Sequence, residues 1–144
     1  MPSTTSPTLR FKSPVRWPRR THRVSVAGGP RAPERVRVWL HRVAGRLPDE
    51  LERNLLLLTC ELVNNSIVHG KAGERDVIEV ELRRIAGGVR AQVSDTGPGF
   101  APVGRDRPMD EPGGWGLVLV DRLSERWGVE HERGTRVWFE LAAA

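Results

Sequence analysis

Cysteine is almost absent: Cys60 is the only one in 144 residues. That excludes an internal disulfide framework and leads us to expect a reducing compartment, the cytoplasm. The four histidines (His22, His41, His69, His131) lie far apart and, with a single cysteine, make no zinc or haem spacing. Long apolar runs are missing as well. No aliphatic stretch exceeds four residues, as in Leu55 to Leu58, far short of the ~20 a membrane span needs. No apolar segment of a secretory signal appears near the start, so no membrane association is expected. Acid is scarce at the front of the chain. Residues 1–46 hold eleven Lys or Arg against one acid, Glu34, whereas residues 47–144 hold twelve against seventeen. Neither an aromatic stacking pattern nor a nucleic-acid motif accompanies the basic stretch, so a solvated arm is expected there rather than a nucleic-acid interface.

What is present suffices for one domain with a single core. Residues 1–21, rich in Ser, Thr, Pro and Arg, show no sustained hydrophobic period and are expected to form a disordered basic arm ahead of a domain over 22–144. In His22–Ala27, Val24 and Val26 alternate with polar neighbours as in a half-buried strand, and Gly28-Gly29-Pro30 breaks it. The spacing of Val36, Trp39, Leu40 and Val43 predicts a helix within residues 32–47. Pro48-Asp49-Glu50 is a helix-start signal, and the helix it opens should run to about His69, with Gly70 as a left-handed stop. Residues 76–85 and 89–93 alternate around Gly87-Gly88, which predicts a hairpin. From Asp95 to Gly116 the chain is loop-like. Leu117, Val120, Leu123 and Trp127 then restore helical spacing, and residues 129–132 and 135–141 meet at Arg133-Gly134 as a closing hairpin. The fold class expected is α+β: a two-layer sandwich with a mixed, mainly antiparallel sheet and helices on one face.

Four clusters carry chemistry. On the second helix Glu61 and Asn65 share one narrow face at ~100° per residue. Their spacing lets a carboxylate and a carboxamide reach one ligand or hydrated cation; equally, they fit an exposed polar stripe. The run Asp95-Thr-Gly97-Pro-Gly99 follows a strand and reads either as a turn or as an acceptor for a ligand amine, with glycines that let backbone approach it. Gly113-Gly114-Trp115-Gly116-Leu117 precedes a helix, where free N–H groups suit an anion. It is neither a Walker loop nor a dinucleotide fingerprint. Thr135 opens the terminal strand and fits either strand propensity or the same pocket.

Taken in order, Glu-x-x-x-Asn, Asp-x-Gly-x-Gly, Gly-Gly-x-Gly-Leu and a terminal Gly-Thr strand resemble the GHKL ATPase superfamily. Within it, the chain resembles the bacterial anti-sigma-factor serine kinases, above all the stand-alone regulatory ATP-binding proteins of actinomycetes. The resemblance covers residues 22–141 and implies the Bergerat ATP-binding sandwich. It implies ATP and Mg²⁺ as cofactors, Asp95 as acceptor for the adenine amine, and Thr135 supporting the base through water. Gly97 and Gly99 would line the base pocket, while Gly114, Gly116 and Leu117 would cradle phosphates. Asn65 would ligate Mg²⁺, and Glu61 would be the general base. The implied partners are a sigma factor and a STAS-type anti-anti-sigma protein, with a homodimer compatible. The alternative is an ATP-sensing switch that binds partners and transfers nothing. On the first helix, the resemblance points to Arg35 as a partner contact.

Overall fold

The computed structural model describes residues 21–44, 47–68, 73–95, 115–130 and 134–143. Five strands and three helices follow one another as β1 (His22–Ala27), α1 (Ala32–Val43), α2 (Asp49–Val68), β2 (Val77–Ile85), β3 (Gly88–Asp95), α3 (Trp115–Leu123), β4 (Arg126–Glu130) and β5 (Thr135–Ala142). The strands form one sheet in the order β1-β2-β3-β5-β4, and every neighbouring pair is antiparallel. The α+β class expected thus holds, and the sheet, expected to be mixed but mainly antiparallel, is antiparallel throughout among the described residues. Residues 1–20 of the expected arm lie outside the described residues, as do His69, Gly70, Gly97, Gly99 and Gly114.

Alternation fixes which side of each strand is buried. Ile78, Val80 and Leu82 of β2, Val89, Ala91 and Val93 of β3, and Val137, Phe139 and Leu141 of β5 turn to the same side. There they meet Val36 and Leu40 of α1, Leu51, Leu55, Leu58 and Leu62 of α2, and Val120 of α3 in one core. α1 packs beside β1, α2 lies against β3 and β5, and α3 sits beside β4. The opposite face of the sheet stays polar. On it Arg23 pairs with Glu81 at 2.9 Å, and Arg90 pairs with Glu140 at 3.3 Å while lying over the Trp138 ring.

α1 carries Pro33 and Glu34 in its first turn and His41 and Arg42 in its last, an arrangement that complements the helix dipole. It ends at Val43, four residues before the limit its hydrophobic spacing suggests. His41 reaches Glu52 of α2 across 3.1 Å. α3 stops at Leu123, and Trp127 belongs to β4 rather than to the helix. Spacing misplaces this boundary because Trp127 satisfies both periods. As a strand residue it pairs with Phe139 and packs on the core, and its indole N–H donates to Asp121 across 2.9 Å.

The β2–β3 hairpin turns at Gly87, whose φ of 77° suits glycine. Gly88 next to it is required for a different reason. A Cβ there would stand 1.9 Å from the backbone oxygen of Leu141, on the neighbouring strand. Backbone cannot yield as a side-chain tip can, so Gly88→Ala should cost about 3 kcal/mol or more. Thermal unfolding of the variant should show a midpoint lower by roughly 10 °C; an unchanged midpoint would contradict this packing.

Candidate functional site

The site begins where β3 ends. Asp95 is the last residue of β3 and pairs directly with Thr135, the first residue of β5. Residues opposite one another in an antiparallel pair share a face, and both side chains turn to the helix side. Asp95 is only 3% exposed and Thr135 2%. A strand alternation that puts Val89, Ala91 and Val93 inward also carries Asp95 inward, so the carboxylate is a core position in register but not in chemistry. Burying such a group costs several kcal/mol unless it is hydrogen-bonded.

α2 supplies the second half. At ~100° per residue its core line runs through Leu51, Leu55, Leu58 and Leu62, all buried. Asn65 lies on one margin of that line and is 2% exposed, and Glu61, a turn earlier on the same margin, is half-buried. The two residues read as one face are thus divided: the amide is inside and the carboxylate at the rim. Asn65 Oδ1 and Thr135 Oγ1 are both buried with no hydrogen-bond partner among the described residues. Buried polar atoms are nearly always paired, so such orphans mark places that a ligand or water completes. Thr59 Oγ1 is a similar orphan, about a third of a turn round α2 from Asn65, and sequence reasoning gave no sign of it. It sits on the other margin, next to Cys60, whose thiol lies 3.9 Å from the Pro33 carbonyl of α1. Burial raises the Cys60 thiol above its usual range, against the lowering effect of Arg37. It therefore stays protonated at neutral pH and is a poor nucleophile.

The third part is the start of α3. The helix opens at Trp115, so Gly116 and Leu117 fall in its first turn, where backbone N–H groups lack helical acceptors. Leu117 is buried against the core. Among the described residues no group of three or more His, Cys, Asp or Glu side chains could hold a metal ion. Gly97, Gly99 and Gly114 lie outside the described residues.

The sequence matches the family described as the histidine kinase-like ATPase domain over residues 28–141. The chain belongs to that family. The matched stretch takes in Glu61, Asn65, Asp95, Gly116, Leu117 and Thr135, and a histidine kinase-like ATPase domain is an ATP-binding unit of the GHKL superfamily. The α+β architecture, with its antiparallel sheet, is consistent with the ATP-binding fold of that superfamily. No curated protein matches the chain. Among solved structures, the chain is similar to the histidine kinase domain of the blue-light activated histidine kinase from Erythrobacter litoralis EL346, with a TM-score of 0.55 and 19% identity. That likeness covers 81% of this chain and 66% of the other, just under two thirds of its length. At this identity the similarity is one of fold. No helix among the described residues is long and apolar enough to cross a membrane.

Proposed function

We propose that this histidine kinase-like ATPase domain is a cytoplasmic, ATP-dependent protein serine/threonine kinase. It also holds a sigma factor, and its phosphoacceptor is a STAS-type anti-anti-sigma protein. The observation that carries the reading is the split on α2: Glu61 half-buried at the rim, Asn65 buried one turn on with an orphan amide oxygen.

Bound Mg-ATP supplies the phosphoryl group, with magnesium neutralising its charge. The donors fit that ligand. Asn65 Oδ1 is a hard, neutral oxygen, suited to a cation that keeps most of its waters and shares the phosphates. The Asp95 carboxylate accepts from the adenine amine, and Thr135 across the pair supports the base through water. The N–H groups of Gly116 and Leu117, in the first turn of α3, face the phosphates. Glu61, open to solvent on one side, takes the proton of the incoming hydroxyl.

Partner contact fits α1. Arg31, Arg35 and Arg42 recur along one line of the helix around exposed Val38, and no ion pair with another described residue neutralises them. An unneutralised basic ridge favours an acidic partner surface. A homodimer is compatible with the same reading.

The test is phosphotransfer with Mg-ATP and a candidate STAS protein encoded beside this chain. The expected product is an acid-stable phosphoserine or phosphothreonine on the partner. An acid-labile label would indicate histidine as acceptor, and nucleotide-dependent binding without transfer would indicate the non-catalytic switch; either result removes the serine/threonine kinase.

A further inference from the structure

Two strands close the sheet, β1 on one side and β4 on the other, and among the described residues no further strand pairs with either. An open edge is a row of N–H and C=O groups that another strand can pair with. β4 reads Arg126-Trp127-Gly128-Val129-Glu130, and this sequence is complementary to itself. Turned about an axis through Gly128 and laid antiparallel on a second copy, it sets Arg126 opposite Glu130 and Trp127 opposite Val129, each twice. Partnered residues are then of equal parity, so the outward hydrogen-bonding groups of one strand meet those of the other. β1 has no such property. Arg23 is its only Lys, Arg, Asp or Glu, and that residue already has Glu81 of its own chain at 2.9 Å.

The side chains agree with this pairing. Trp127 and Val129 turn to the helix side and are only half-buried, because no strand shields their outer flank. Arg126 and Glu130 lie on the opposite face, with side chains 72% and 52% exposed. Within the chain Arg126 stands 4.0 Å from Glu140, and Glu130 stands 3.3 Å from Arg136. Joining two edges extends these pairs into one alternating row: Arg90, Glu140, Arg126, then Glu130 and Arg136 of the second copy. Gly128 leaves the axis clear of side chains, since the Trp138 ring of its own chain lies 2.7 Å from where a Cβ would stand. Other pairings fit worse. A parallel one in register sets Arg126 on Arg126 and Glu130 on Glu130, and a slip of two residues puts Arg126 opposite Gly128. A slip of one turns the apolar pair of one copy to the polar face of the other.

We propose that β4 is the edge along which two copies of this chain join, making one antiparallel sheet with five strands from each. The proposal goes beyond the kinase reading and does not depend on it. Glu130 lies at the Asp95–Thr135 end of the sheet. The two-fold axis sends those ends in opposite directions, so both stay open. The assembly closes at two copies, because β1 at the far edge offers no complement.

The test is the mass of the full chain in solution, by sedimentation from about 1 µM to about 1 mM. The mass should climb from 16.1 kDa towards twice that as concentration rises. Arg126→Glu sets acid against Glu130 of the second copy, and Glu130→Arg sets base against Arg126. Each variant alone should weaken the dimer at least about tenfold. Mixed in equal amounts, the two restore both pairs, one strand acidic and the other basic, and the dimer should return at about the wild-type strength. Both substitutions are at exposed positions, and far-UV circular dichroism checks that each variant stays folded. A mass that stays at 16.1 kDa throughout overturns the proposal. So does a dimer that both single variants keep, which places the contact elsewhere, and so does a loss that mixing fails to restore, which rejects the register.

Discussion

Replacing Asp95 by asparagine should weaken ATP binding about 30- to 100-fold in a calorimetric titration, with the fold unharmed. Asp95 sits at the end of β3, 3% exposed and directly opposite Thr135. An amide keeps the size and one acceptor oxygen, but it loses the charge and adds a donor where the ligand amine also donates. A hydrogen bond to a charged acceptor contributes about 1.5–3 kcal/mol, and a donor left facing a donor adds to the loss. Thr135→Val should follow the same direction at smaller size, because in the proposed mechanism that hydroxyl acts through water. The measurement that checks both is the affinity for ATP alongside the unfolding midpoint. Unchanged affinity with Asp95 replaced would show that the base is not read at this strand end.

The second large effect belongs to Glu61. Glu61→Gln should reduce phosphotransfer to the protein acceptor by roughly 100- to 10,000-fold, the range lost when a positioned general base is removed. Affinity for Mg-ATP should change by no more than a few-fold. Glu61 is half-buried at the rim of α2, whereas Asn65 is 2% exposed. In the proposed mechanism the two therefore separate chemically: the rim residue moves a proton, and the inner one holds the ligand. Asn65 replaced by alanine should lose binding and transfer together. A Glu61→Gln variant that loses affinity as severely as transfer would assign the carboxylate to binding instead. One that transfers at the wild-type rate would leave the base elsewhere.

Much of the fold could be read along the chain because its elements announce their periods. Val24 and Val26, the alternation through β2 and β3, and the leucine line of α2 each obey one rule without a competitor. The misreadings lie where two rules agree on the same residue. Trp127 stands at helical spacing from Leu123 and also at strand alternation with Val129. The sheet won because Phe139 offers it a cross-strand partner. Ser124 helps to close the helix before it by turning its hydroxyl to the Val120 carbonyl. The insertion of β5 between β3 and β4 was not legible at all, since strand order depends on contacts between distant segments. That insertion is what sets Thr135 against Asp95. The candidate residues could be named from motif order; that Asp95 and Thr135 stand opposite one another could not. Helical spacing placed Glu61 and Asn65 on one face but could not show that only the second is buried, because the neighbouring layer decides burial.

The most direct test of convergence on one nucleotide is a crystal structure of the chain with magnesium and a non-hydrolysable ATP analogue. The expected result is one nucleotide whose adenine amine meets the Asp95 carboxylate, with the metal on Asn65 Oδ1 and the terminal phosphate on the Glu61 side of α2. A nucleotide bound away from the Asp95–Thr135 pair, or one whose phosphates leave Asn65 untouched, would contradict it.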